Sequence, residues 1–373
     1  MPSKTIYPLP PGRRVVAAMS GGVDSAVAAG LLAEAGYDVI GVTMKMYEAT
    51  RTTYARSCCG SEDFDDARRS AAILGIPHFV LDYTGEFRRG VIDRFVEAYR
   101  SGRTPNPCIA CNTFIKLGAL RRYAASIGAE AIATGHYARL LHDAEGPHLY
   151  RAGHAKDQAY ALAALRRDQL AGLILPLGER TKDETRREAG RLRLPVEKKP
   201  DSQDICFVEG GDYRTVLAQY DTAAPVPSGA FQDSDGAHLG EHSGIVGYTI
   251  GQRARIGGEP RARYVTRIDA TTNTIVLGDA DELEARILVA GDVNRLRPDA
   301  LLDGADVTAM IRAHAVPARA QLGWEDDFQR LRLTFEQPQR AITPGQVLVL
   351  LDPATDEVLG SATIEGAQTS AEA

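Results

Sequence analysis

The sequence predicts an α/β protein: an N-terminal doubly wound parallel sheet with helices on both faces, then two smaller β-rich domains, the last a barrel. Three observations predict it. Over the first 135 residues short apolar runs alternate with helical periods, the pattern of strands joined by crossover helices. The hexapeptide S-G-G-V-D-S at 20–25 joins an apolar run to a helical period with almost no side chain between them. Beyond about Cys206, Gly and Pro become frequent, helical periods vanish and short β runs take over.

In chain order, R-R-V-V-A-A-M is a buried strand, and a helix runs from Val23 to about Ala35, stopped by Gly36. D-V-I-G-V-T-M-K-M is the second strand. Residues 51–60 have no period and read as a loop; a helix follows from about Ser61 to Leu74, ended by Gly75-Ile76-Pro77. H-F-V-L-D-Y is the third strand, E-F-R-R-G-V-I-D-R-F-V-E-A-Y-R a helix, Asn112 to about Ile127 another, and A-I-A-T the fourth strand. Residues 136–209 are mixed, with Thr181 and Glu184 spaced as a capping box for a helix to about Leu192. H-L-G-E-H, R-Y-V-T-R-I, N-T-I-V-L-G, L-R-L-T-F and Q-V-L-V-L-L are later strands. The domains expected are 1–209, 210–285 and 286–365, with a disordered small-residue tail at 366–373.

The 373 residues are 44% hydrophobic and 25% charged, the balance of a soluble globular protein of two or three domains. No apolar stretch reaches the length of a membrane span, and M-P-S-K-T-I-Y-P-L-P-P-G lacks a signal-peptide core, so a cytoplasmic protein without membrane contact is expected. The net charge of −6 gives no global attraction to nucleic acid; any polyanion site must be a local basic patch. One candidate is Arg180–Lys199, whose Arg180, Lys182, Arg186, Arg187, Arg191, Arg193, Lys198 and Lys199 are interleaved with acids. It reads either as a solvated amphipathic face or as a phosphate-contacting one.

Glycines at the turn after a strand let backbone N–H groups approach a ligand, and the helix start adds partial positive charge. Ser20, Gly21, Gly22, Val23, Asp24 and Ser25 therefore form an anion cradle, most naturally for phosphate, with Ala18 and Met19 leading into it as further candidate nucleotide-binding positions. No Gly-Lys-Ser/Thr follows, so it is not a Walker loop, and it suits a departing pyrophosphate. Asp24 has the wrong sign for direct phosphate contact, which points to an intervening Mg²⁺.

Five cysteines fall as Cys58-Cys59, Cys108-x-x-Cys111 and Cys206, too few and too clustered for a secreted disulfide framework. Cys111 precedes a helical period, where the dipole favours thiolate, and Cys206 follows the basic segment. Either thiol alone reads as a small buried hydrophobe; a pair in loops beside a nucleotide site reads as chemistry. Cys58-Cys59 read as structural or incidental.

The hexapeptide is the signature of the PP-loop ATP pyrophosphatases. R-T-P-N-P-C-I-A-C-N, A-T-G-H-Y, K-D-Q, D-S-Q-D-I-C-F, Y-T-I-G-Q-R and T-P-G-Q resemble, in this order, the motifs of the tRNA-specific 2-thiouridylases, from residue 15 to about 350. The resemblance implies an adenine-nucleotide hydrolase-like fold and ATP-dependent 2-thiolation of the wobble uridine: ATP adenylates the 2-oxo group, pyrophosphate leaves, sulfur replaces AMP. It implies Cys111 as nucleophile, Cys206 as persulfide carrier, and a disulfide between them as sulfur is released. It assigns Met44 and Gly135 to ATP, and Asn106, Pro107 and Cys108 to the target base. His136, Lys156, Asp157, Gln158, Arg312 and Gln346 fall at tRNA-contact positions, with Gln252 and Arg253 in a Gly-rich loop suited to contact. The implied partners are tRNA, through its anticodon stem-loop, and a sulfur-donating relay protein or hydrosulfide.

The chain departs from the family where many members have Asp at the position of Cys108. Cys108, Cys111 and Cys206 would supply the three thiolates of a [4Fe–4S] cluster, or Cys108 simply fills the Asp position. R-A-H also lacks the aromatic that follows Arg312 in some members. Two competing readings remain: a PP-loop enzyme adenylating a small molecule, and a non-catalytic Fe–S or RNA-binding sensor. Pyrophosphate release dependent on tRNA separates the main reading from both.

Overall fold

The computed structural model describes residues 4–47, 61–200, 205–208, 211–224, 226–254, 256, 261–326 and 328–368. Cys58-Cys59, the loop expected at 51–60 and D-S-Q-D of the Cys206 motif lie outside them. The chain divides into two compact units, Met1–Ile92 with Pro107–Val216, and Asp93–Asn106 with Leu217–Ala373.

In the first unit β1 (Arg14–Ala18), β2 (Asp38–Lys45), β3 (His78–Asp82), β4 (Ala131–Ala133) and β7 (Leu173–Ile174) form one sheet in the order β3-β2-β1-β4-β7. Every neighbouring pair is parallel. The strand order reverses between β1 and β4, and in such sheets ligands bind at that switch point, beyond the carboxyl ends of the strands. Helix Val23–Glu34 follows β1 and is buried on nearly every side, packed on helices Ser61–Leu74 and Lys182–Arg191. That explains its Ala- and Gly-rich sequence: a methyl at Gly30 would lie 2.6 Å from Leu192. Val15 and Ala17 of β1 and Met19 just after it share a core with Val27, Leu32, Ala189 and Val196. Truncating Leu32, which is fully buried, should cost about 2–5 kcal/mol. The hairpin β5 (Arg139–Asp143) and β6 (Gly146–Tyr150), hidden in the mixed region of the sequence, stands apart from the sheet.

Two expected helices differ in form. The one expected over 86–100 runs as Thr84–Phe87, a π-helical turn Arg88–Ile92, then Asp93–Arg100. The one expected from Asn112 begins earlier, at Pro107–Ala110, continues as a π-helix over Cys111–Ala119 and returns to α over Leu120–Ser126. Proline suits a first helical turn because its missing N–H has no partner there anyway.

In the second unit β8 (Gly229–Gln232), β9 (His238–His242), β10 (Arg253–Ala254), β11 (Arg263–Asp269) and β12 (Thr274–Gly278) make a sheet ordered β10-β11-β12-β8-β9. The strands β13 (Glu284–Arg295), β14 (Asp306–Met310), β15 (Ala318–Glu325), β16 (Arg330–Arg340), β17 (Val347–Leu351) and β18 (Val358–Gln368) close into a barrel, β13-β16-β15-β14-β17-β18. Closure removes exposed edges, and Leu288, Leu331, Leu333, Phe335, Leu348, Leu350 and Ile364 fill the interior. Two expectations are corrected. A helix, Tyr213–Tyr220, forms after Cys206, where only strands were expected. Residues 366–368, expected in the disordered tail, belong to β18, because their backbone pairs with β13.

Candidate active site

The S-G-G-V-D-S loop lies at the carboxyl end of β1. The Met19 N–H donates to the Val42 carbonyl at 2.8 Å, and Thr43 Oγ1 donates to the Met19 carbonyl at 2.7 Å, tying the loop to β2. The Ser20 N–H donates to Ser25 Oγ at 3.0 Å, and Ser25 Oγ donates to the Gly22 carbonyl at 3.1 Å, so the two ends of the loop hold each other. Gly21 sits at φ +76°, directly under the Asp63 backbone, and any Cβ there would overlap the Asp63 carbonyl. Gly135 follows β4 on the other side; a Cβ on it would lie 2.6 Å from the Asp24 carbonyl carbon and 2.7 Å from the Ser25 nitrogen. The cradle is thus walled by backbone from β1 and β4 at the switch point. Met44 is buried in β2, in register with Leu81.

The cation that the loop itself lacks comes from afar. Lys182 Nζ lies 2.7 and 2.8 Å from the two carboxylate oxygens of Asp24, and the Tyr137 hydroxyl donates to the first at 2.7 Å. Lys182 opens a helix whose N-cap, Thr181, takes the Glu184 N–H while Glu184 reaches back, the capping box expected. Lys199 Nζ donates to the Gly21 carbonyl at 3.0 Å and to Asp63 and Asp66, each at 2.6 Å. Burial alone would lower the Lys199 pKa, but the two carboxylates outweigh it and hold the ammonium above its ordinary range.

These pairings divide the basic segment that the sequence left open. Lys182, Lys199 and Arg186, which bonds the Glu197 and Lys199 carbonyls at 2.7 and 3.1 Å, turn inward. Arg191 pairs with Glu34 and Glu188, while Arg187, Arg193 and Lys198 are exposed.

The thiols sit on two segments. Cys111 is buried, in the second turn of a helix that begins at Pro107, so the helix-start dipole assigned to it falls instead on the first turn, where Cys108 is exposed. The Cys111 thiol lies 3.8 Å from the Met46 sulfur. The next residue, Tyr47, donates its hydroxyl to the backbone carbonyl of Cys206. Consecutive residues at the exit of β2 therefore touch both cysteine segments. Phe87 packs edge-on to Phe207 at 5.5 Å and tilted to Tyr47 at 6.2 Å, which seats the segment after Cys206. Asn112 Nδ2 donates to the Ala161 carbonyl at 2.8 Å, and Lys116 Nζ to Asn112 Oδ1 at 2.9 Å.

Among the described residues no group of three or more His, Cys, Asp or Glu side chains is placed to hold a metal ion. Cys108, Cys111 and Cys206, all described, are not among any such group; Cys108 is exposed and Cys111 buried. Mg²⁺ makes a smaller demand, one or two carboxylates plus phosphate oxygens and water, and Asp24 is a carboxylate of that kind at the loop.

Of the positions at which tRNA contact was expected, Lys156, Gln158, Arg253 and Arg312 are exposed. Asp157 is inward: its carboxylate accepts from Arg151 Nε at 3.0 Å and the Ala152 N–H at 2.8 Å. Gln158 Oε1 accepts from the Tyr137 N–H at 2.9 Å, tying K-D-Q to the Asp24 partner. His136 is buried, with Thr134 Oγ1 2.6 Å from its Nδ1; burial, then the Lys116 charge, hold its pKa well below the ordinary histidine range. Arg312 donates to the Arg340 carbonyl at 3.2 Å, and Gln252 Oε1 accepts from the Thr249 N–H at 3.1 Å. Within the second unit Gln346 Nε2 donates to the carbonyls of Thr104 and Pro105 at 3.0 and 3.3 Å, on the loop that leads to Asn106. Gly345 stands at φ +89°, and a Cβ on it would press on Arg103 at 2.9 Å, which accounts for the glycine of T-P-G-Q.

Met46, Tyr47 and the pairing of Lys182 and Lys199 with the loop were not foreseen. The capping box located Lys182 at a helix start, but no spacing in the sequence links it to Asp24.

A parallel sheet with a side-chain-poor loop at its switch point, two cysteine segments meeting where β2 leaves the sheet and a barrel later in the chain define a nucleotide-dependent enzyme of the PP-loop class. The comparisons with known proteins narrow this. Residues 13–210 match the family model described as tRNA methyl transferase HUP domain, 214–279 the tRNA methyl transferase PRC-barrel domain, and 286–364 the aminomethyltransferase beta-barrel domain. The tRNA-specific 2-thiouridylase MnmA of Methylobacterium sp. (strain 4-46) is 45% identical over 366 residues, 95% of each chain. Those of Lachnoclostridium phytofermentans and Moorella thermoacetica are 43% and 46% identical, over 94% and 93% of this chain and 99% and 98% of theirs. The chain belongs to the tRNA-specific 2-thiouridylase family.

Proposed function

We propose that the protein is an ATP-dependent tRNA-uridine 2-sulfurtransferase acting on the wobble uridine. One observation carries the reading: Met46 and Tyr47, adjacent in sequence, contact the Cys111 thiol and the Cys206 backbone, so two distant cysteine segments meet where β2 leaves the sheet that holds the anion loop. The domain models are named for methyl transfer and the curated relatives for thiolation; two thiol segments beside a pyrophosphate-type loop support the second.

In this reading the uridine 2-oxo oxygen attacks the α-phosphorus of ATP, and pyrophosphate leaves into the Gly21–Ser25 cradle. Adenylation is needed because a pyrimidine oxo group is a poor leaving group and AMP a good one. A persulfide on Cys206 attacks C2 through its terminal sulfur, and AMP departs. The Cys111 thiolate then attacks Cys206 Sγ; the S–S bond to the transferred sulfur breaks, 2-thiouridine is freed, and a Cys111–Cys206 disulfide remains for an external thiol to reduce. Mg²⁺, arriving with the nucleotide, would neutralise phosphate charge, with Asp24 as its carboxylate. Lys182 and Lys199 steady the loop. No step passes through an iron–sulfur cluster.

The same reading places Asn106, Pro107 and Cys108 at the target base, and His136, Lys156, Asp157, Gln158, Arg312 and Gln346 at or behind the RNA surface. A persulfide-bearing relay protein supplies the sulfur in the cytoplasm, its outer sulfur passing to the Cys206 thiolate as its own thiolate leaves; hydrosulfide serves only by opening the Cys111–Cys206 disulfide left by the previous turnover, which gives the Cys206 persulfide and the Cys111 thiol. We divide the chain at about 209 and 285, with three domains in all.

The test is incubation with ATP, unmodified tRNA and a persulfide donor, followed by mass spectrometry of digested RNA. We expect 2-thiouridine from the native protein, none from Cys111→Ser or Cys206→Ser, and pyrophosphate release that depends on tRNA. Pyrophosphate release indifferent to tRNA, or product from either serine variant, overturns the reading.

A further inference from the structure

One face of the helical stretch that begins with Cys111 is open. Thr113, Phe114, Leu117, Gly118, Arg121, Arg122 and Ala125 succeed one another along it, and with Arg166 and Gln169 they line a cleft of about 380 Å³. Leu117 is its buried floor, whereas Phe114 is 39% exposed on its wall. Gln169 is buried and donates its Nε2 to the carbonyls of Thr113 and Leu117, 3.0 Å each, so the wall is rigid where the helix widens to π geometry.

The charge is local. Asp168 bonds Arg121 and Arg166, each at 3.0 Å, so one carboxylate stands against three guanidinium groups counting Arg122. On a chain of net charge −6 this is a confined basic site, of the kind that must exist if the substrate is a polyanion. The interleaved basic segment at 180–199 has turned Lys182, Arg186 and Lys199 inward, away from that role.

We propose that this cleft is a subsite for one unpaired nucleotide of the RNA substrate, its base stacked on Phe114 and its phosphate held by Arg122 and Arg166. A lone phosphate needs no aromatic, and an apolar partner needs no excess of arginine; a single-stranded nucleotide needs both, because stacking tolerates any base and guanidinium groups neutralise the backbone. The inference rests on RNA being the substrate and extends that reading to a part of the surface that the uridine chemistry does not use.

The test is fluorescence anisotropy with an unmodified anticodon stem-loop RNA over a salt series, for the native protein, Arg122→Ala/Arg166→Ala, Phe114→Ala and Phe114→Leu. The double arginine variant should bind about tenfold more weakly, with a salt slope smaller by about one to two. The Phe114 variants should lose about tenfold with the slope unchanged, and Phe114→Leu, which keeps an apolar side chain, guards against misfolding. ATP binding should be native in all. Native affinity and slope in folded variants overturn the proposal, as does native RNA binding combined with slower sulfur uptake from a persulfide protein, which would make the cleft a protein-docking face. If the native protein itself neither binds the RNA nor thiolates tRNA, the functional reading has failed, and this subsite with it.

Discussion

Tyr47 donates its hydroxyl to the backbone carbonyl of Cys206, across a span of sequence in which nothing marks the two as partners. Its neighbour Met46 touches the Cys111 sulfur. Tyr47→Phe keeps the ring against Phe87 but deletes the bond. A net hydrogen bond is worth about 0.5–1.5 kcal/mol, so sulfur transfer in a single turnover should slow by up to about tenfold. ATP binding should not change; equal loss in both would mean that Tyr47 only supports the fold.

Removing Lys182 strands Asp24 beside the anion loop. Lys182→Ala should lower tRNA-dependent pyrophosphate release by about a hundredfold, the scale of losing a preorganised charged group. Asp24→Asn combined with Lys182→Ala should be less than additive, because both break one pair. Full additivity in the double-mutant cycle would refute the coupling.

His136 is buried neutral, its pKa depressed by desolvation. The sign follows: the unfolded state takes up a proton below its ordinary pKa of about 6.5 while the folded state does not. Stability present above that pH is therefore lost as pH falls through it toward the lower folded value. His136→Asn should flatten thermal stability between pH 7 and about 5. An unchanged pH dependence would show that other groups carry it.

Lys199 titrates the other way. Its raised pKa means that its contribution is complete below the ordinary lysine pKa of about 10.4 and is lost as pH rises through the folded value. Lys199→Met should unfold at a lower temperature than the native protein at neutral pH, and the difference should shrink above about pH 10.5. A constant difference across that range would contradict the ion-pair account.

Lys156→Ala should weaken tRNA binding and reduce its salt slope by about one. Gln346→Ala, by contrast, removes the donor to Thr104 and Pro105, and should lower turnover with the slope unchanged. Matching salt behaviour in the two variants would make Gln346 a direct phosphate contact instead.

The alternation that announced a doubly wound sheet is real because crossover helices must cover both faces of a parallel sheet, and periodicity records burial. β9 falls on H-L-G-E-H and helix Ser61–Leu74 on the expected residues, since Gly, Pro and capping boxes are local signals. Local signals also misled: the helix before Cys111 was missed because P-C-I-A is too short to show a period, and Tyr213–Tyr220 because its surroundings look like β.

What the sequence determined by itself was the side-chain-poor loop after β1, the parallel sheet that carries it and the barrel, for each is written in neighbouring residues. Only the tertiary structure decided that Lys182 and Lys199 serve that loop, that Met46 and Tyr47 join the thiol segments, and that Arg122 and Arg166 line one cleft. Those are contacts between segments far apart along the chain, and their distances depend on how helices pack, which no local pattern encodes.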